Sequence, residues 1–122
     1  MKPTESELEI LKVLWAKGAA TVREVNDILN ESREVGYTTT LKMMQLMAQK
    51  KLVNRDESAR THIYVAAVNQ NIVQNNMLHQ LLESAFGGSA SKLVLNALGR
   101  SNASQKELDE IKALIQKLEN NG

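Results

Sequence analysis

The apolar residues of this chain recur with a helical period up to about residue 51, and between residues 52 and 65 that period breaks. Leu52-Val53-Asn54-Arg55 and His62-Ile63-Tyr64-Val65 are short β-prone runs. They flank the polar stretch Asp56-Glu57-Ser58-Ala59-Arg60-Thr61, the pattern of a hairpin with a charged tip. One hairpin set among helices restricts the fold severely. Three helices followed by a hairpin is the order of a winged helix-turn-helix, in which the third helix enters the DNA major groove and the hairpin forms the wing.

The helices carry their own punctuation. Thr4-Glu5-Ser6-Glu7 is a capping box, Leu8, Leu11 and Trp15 follow at helical spacing with Ile10 and Leu14 beside them, and Gly18 is a stop, so a first helix is expected over 4–17. Trp15 is the expected core anchor. Thr21-Val22-Arg23-Glu24 is a second capping box, opening a helix to about residue 31 through Val22, Val25, Ile28 and Leu29. A third helix runs from the β-branched lead-in Tyr37-Thr38-Thr39-Thr40 to about Lys51, with Leu41, Met44, Met47 and Ala48 towards a core and Lys42, Gln45 and Gln49 on the opposite face. Such polar side chains suit base edges and phosphates.

Beyond residue 68 three more helices are expected: 69–86, ended by Gly87-Gly88; 91–98, stopped at Gly99; and one capped by Ser104. Their apolar stripes (Leu78, Leu81 and Leu82; then Leu108, Ile111, Ile115 and Leu118) are too few to close a core alone, so the same helices of a second chain are the expected cover. The reading is mainly α with a small β-hairpin: a winged-helix domain over 1–68 and a helical dimerisation domain over 69–122.

Charge placement matters more than the net charge of +1. Residues 42–60 hold five basic side chains (Lys42, Lys50, Lys51, Arg55, Arg60) and two acidic ones, whereas residues 1–34 hold five basic and seven acidic. The chain has no cysteine, which removes disulfides and thiolate metal sites and is compatible with a cytoplasmic location. No apolar run has the length of a membrane span, and the N-terminus lacks the pattern of a signal peptide. His62 and His79 have no partners at ligand spacing, Met43, Met44 and Met47 suit core filling, and Glu7, Glu9, Asp109 and Glu110 accompany no nucleophile. No metal, cofactor or catalysis is expected.

These segments together resemble the penicillinase-repressor family (BlaI/MecI/CopY). The residues that carry the resemblance are T-x-x-E-x-x-I-L-x-x-L-W-x-x-G from Thr4, Thr21-Val22-Arg23-Glu24-Val25, Tyr37-Thr38-Thr39, residues 50–55, Arg60-Thr61-His62-Ile63-Tyr64 and Phe86-Gly87-Gly88. The resemblance implies a homodimeric repressor of a palindromic DNA operator, with Thr38, Thr39 and Lys42 at the start of the recognition helix and Arg60 in the wing. It also implies relief through a membrane sensor-protease system, with cleavage between Asn96 and Ala97. The chain departs from the family where it has Leu46 for a frequent Arg, Lys51 for a frequent Gly, and Ala97 for a frequent Phe; the copper-responsive branch's cysteines are missing.

Each assignment has a plainer counterpart. Lys50 and Lys51 also suit a solvated helix end, and Arg55 and Arg60 also suit pairing with Asp56 and Glu57. The DNA-binding set expected from the sequence is Thr38, Thr39, Lys42, Gln45, Lys50 and Arg60. The competing function is a non-catalytic winged-helix module that binds protein and has no affinity for DNA.

Overall fold

The computed structural model describes residues 2–100 and 102–121. The order is α1 (Glu5–Lys17), β1 (Ala20–Thr21), α2 (Val22–Leu29), α3 (Tyr37–Gln49), β2 (Val53–Asp56), β3 (Ile63–Ala66), α4 (Gln70–Phe86), α5 (Ala90–Arg100) and α6 (Gln105–Asn121). Two compact units result, Met1–Met77 and Leu78–Gly122.

Both capping boxes form. Thr4 and Thr21 each accept the amide of the glutamate three residues on, at 3.2 and 3.1 Å, and each glutamate accepts the threonine amide at 2.9 Å. Gly18 ends α1 at φ 87°, its amide donating to the Leu14 carbonyl. The α3 helix stops two residues before Lys51, which takes φ 65° in the region glycine prefers, so a lysine there carries backbone strain of about 1 kcal/mol.

The sheet has the order β1-β3-β2, all antiparallel, with Tyr64 opposite both Ala20 and Arg55. Strand β1 was absent from the sequence expectation, because two residues have no period to detect. Its pairing stitches the start of α2 to the wing. On β3 only Tyr64 is fully buried; Ile63 and Val65 point outward.

The core of the first unit is formed by Ile10, Leu11, Leu14, Val25, Met44, Met47 and Val53, closed by Tyr64. Tyr64 is 1% exposed and heads the fully buried side chains by size. Trp15, the expected anchor, is only partly buried: its ring packs at the edge of the core while its indole N–H donates to the Val68 carbonyl at 3.0 Å. The buried face of α1 is accordingly centred on Ile10 and Leu14, with Leu8 and Trp15 at its margins.

Asn26 is buried on the α2 stripe and organises the connection to α3. Its amide nitrogen donates to Thr40 Oγ1 at 2.8 Å and to the Val35 carbonyl at 3.1 Å. Asn30 donates to the same Val35 carbonyl at 2.8 Å and accepts the Val35 amide at 3.0 Å. The turn is therefore held by side chains at both ends, which fixes the angle at which α3 leaves α2.

In the second unit the expected helices form, with one correction. Gly99 lies inside α5 and does not stop it, since a single glycine costs a helix about 1 kcal/mol without terminating it. Gly87 and Gly88, at φ 56° and 81°, do end α4. No residue described after Val73 is buried, and none of the helical segments described in this unit packs closely along another.

Candidate nucleic-acid interface

The exposed face of α3 is the first component. Burial of Thr40, Met44 and Met47 turns Thr38, Thr39, Lys42, Gln45, Leu46 and Gln49 to solvent. The N-terminus of α3 differs from those of α1 and α2: its cap is Gly36, with no side-chain cap bond. The first amides of α3 thus keep their donor capacity beside the hydroxyls of Thr38 and Thr39, an arrangement that favours an anion.

The wing is the second component. Asp56 accepts the Ser58 amide at 2.9 Å, a turn that shapes the hairpin tip and, through the Ser58 hydrogen bonds, lowers the pKa of Asp56. Arg55 pairs with Glu57. Its guanidinium is held further towards the charged form by the Tyr64 hydroxyl and then by the Glu57 charge. With both carboxylates so engaged, Arg60 forms no ion pair among the described residues and is exposed. Arg60 and Gln45 line one groove, so the wing tip and the α3 face meet on the same side of the unit.

Lys50 is placed differently from the rest of the expected set. It caps the far end of α3, where its Nζ lies 2.7 Å from Oε2 of the buried Glu7. Burial opposes the Glu7 charge, but the Lys50 and Thr4 hydrogen bonds and the Lys50 charge outweigh it, so the carboxyl sits below its ordinary value. A depressed carboxyl contributes stability that is fully present above the unfolded value, near 4.3, and is lost as pH falls through the lower folded value. Lys50→Met is therefore expected to cost about 1–2 kcal/mol at pH 7, a figure reduced because the ammonium is half in water, and to flatten the acid limb below about pH 5. Thermal melts between pH 3 and 7 measure both; an unchanged acid limb would show that the pair is not coupled to folding.

Two contributors escaped the sequence reading. Arg23, on α2, holds its guanidinium carbon 4.7 Å from the centre of the Tyr37 ring, joining the starts of α2 and α3. Asn26 fixes the inter-helix angle. Its only sequence signal is a polar residue four positions after Val22 on an otherwise apolar stripe. The residues expected from the sequence to form a dimer interface are half-buried at Leu82, Leu108 and Ile111 and exposed at Leu78, Leu81, Ile115 and Leu118, with Leu114 exposed beside them. Asn96 and Ala97 are exposed within α5, where Asn96 donates to the Lys92 carbonyl at 2.8 Å. Among the described residues no cluster of His, Cys, Asp and Glu could hold a metal, and no helix is long and apolar enough to cross a membrane.

Comparison with known proteins gives this geometry a context. The penicillinase repressor family profile matches residues 3–117. The chain is similar to a penicillinase repressor of Bacillus licheniformis (22% identity, 96% of this chain and 91% of the relative). It is also similar to the transcriptional regulator BlaI of Mycobacterium tuberculosis (27% identity, 93% and 82%). Among solved structures, the DNA-binding domain of the repressor BlaI aligns with a TM-score of 0.50 at 23% identity, over 57% of this chain and 90% of that one. An Escherichia coli MarR variant in complex with operator DNA aligns with a TM-score of 0.53 at 16% identity, over 95% and 75%. The first unit is a winged helix, and the chain belongs to the penicillinase repressor family.

Proposed function

We propose that this protein is a transcriptional repressor that binds a palindromic operator as a homodimer, with α3 in the major groove and the wing on the backbone or minor groove. The observation that carries the reading is the α3 surface: an N-terminus without a side-chain cap, followed by exposed Thr38, Thr39, Lys42 and Gln45, with Arg60 across the same groove. Amides and hydroxyls at a helix start take phosphate, and Lys42 and Gln45 reach base edges. Leu46 is 53% exposed on this face, where an apolar side chain suits a thymine methyl. Lys50 is assigned to holding α3 against α1 through Glu7, away from phosphate.

Homodimerisation is supported by the exposed stripes of the second unit, with Leu118 63% exposed in a single chain. Two copies related by a two-fold axis would cover these stripes and set two recognition helices about one DNA turn apart. Relief through a membrane sensor-protease system follows the family pattern. Cleavage between Asn96 and Ala97 would require α5 to unwind locally, because the bond lies in a hydrogen-bonded helix.

Lys42→Ala and Arg60→Ala are each expected to weaken operator binding by roughly 10-fold to 100-fold without changing stability, since both side chains are exposed. Lys42→Ala should also relax sequence preference. Titrations against an operator and a random duplex measure this. Unchanged DNA affinity in both variants would overturn the roles given to these two side chains, and partner binding with no affinity for either duplex would favour the interaction module.

A further inference from the structure

Beside the reading face, a groove of about 300 Å³ is walled by the start of α2, by α3 and by the wing. Arg23, Arg55 and Arg60 enter it from two sides, and none of its lining residues is acidic. The Arg23 guanidinium is stacked on Tyr37, which restricts its plane while leaving its N–H edge free to donate. Arg55 is already paired with Glu57, which leaves Arg23 and Arg60 as two cations with no ion pair among the described residues, a mutual electrostatic cost that an anion between them would remove. Gln45 belongs both to this groove and to the exposed face of α3, so an anion seated here would adjoin a base reader.

We infer that the groove is a seat for one backbone phosphate of the bound duplex, gripped by Arg23 from α2 and Arg60 from the wing, with Tyr37 as the platform that positions Arg23. The inference rests on the DNA-binding reading and adds α2 to the contact surface. A phosphate held between two elements on either side of α3 would fix the depth and register of the helix without reading sequence.

The test uses the full chain with an operator duplex, a random duplex and, separately, inorganic phosphate. Arg23→Ala is expected to weaken both duplexes by a similar factor, about 5-fold to 10-fold, and to lower the salt slope by about one. Tyr37→Leu should give part of that loss, and Arg23→Lys should restore the slope but not the full affinity. In the wild type, inorganic phosphate should shift the Arg23 and Arg60 side-chain NMR signals. If Arg23→Ala leaves both affinities and the slope unchanged while Lys42→Ala lowers operator binding, the seat is wrong and the repressor reading stands. If phosphate shifts those signals yet Arg23→Ala binds duplex normally, the groove takes small anions and the DNA assignment is overturned. A wild type that binds no duplex overturns both.

Discussion

A chain carrying Leu81→Asp and Ile115→Asp is expected to be monomeric and to lose roughly 10²-fold to 10⁴-fold of its operator affinity, while keeping its winged helix folded. The expectation follows from where apolar surface remains. The first unit has a buried core, whereas after Val73 no described residue is buried and the stripes of α4 and α6 are half-buried or exposed. Leu81 and Ile115 are about half exposed in one chain, so a carboxylate at either position costs a lone protomer little. In a dimer interface the same carboxylates would be desolvated without partners, which costs several kcal/mol. Monomers then bind half-sites independently and lose the gain of simultaneous engagement. Sedimentation measures the assembly and duplex titration the affinity. A double variant that still sediments as a dimer would move the interface elsewhere.

Tyr64→Ala is expected to cost about 3–5 kcal/mol in the stability of the first unit, the range for deleting a large buried aromatic. Tyr64 lies in β3, the middle strand of the sheet, paired to Ala20 on one side and Arg55 on the other, and is 1% exposed. Its removal opens the core and unseats the wing together. Trp15→Ala should cost less, because that ring is already partly in water and sits at the core's edge. Tyr64→Phe should retain the core and lose only the hydroxyl beside Arg55. Chemical denaturation of the three variants gives the order directly, and a Trp15→Ala loss larger than that of Tyr64→Ala would reverse the assignment of the core anchor.

That reversal marks the limit of sequence reading here. Apolar residues at period 3.6 located the described helices, even α5 and α6 where no described side chain is buried, and β-prone runs where that period breaks located both hairpin strands. The capping boxes marked the starts of α1 and α2 because their partners are three residues apart. Features that depend on distant partners left weaker traces. A tryptophan and a tyrosine look equally suited to a core until the indole is found reaching out to Val68. Strand β1 exists only through its pairing with β3. Lys50 resembles any basic residue near a helix end until Glu7, 43 residues earlier, is brought beneath it. The exposed α3 residues were legible, since a helix whose opposite face is buried must present them; Arg23 was not, since its significance depends on Tyr37 across a turn.

A repressor of this kind has one defining property: sequence-specific, salt-sensitive binding of duplex DNA. Titrating the full chain with a duplex from the region upstream of its own gene, from 50 to 200 mM salt, measures it most directly. A preference of roughly 10³-fold or more over random duplex is expected, with affinity falling by at least about 10³-fold over that salt range if six or more phosphates are neutralised. Equal affinity for both duplexes, or no complex at 50 mM salt with any duplex from that region, would contradict it.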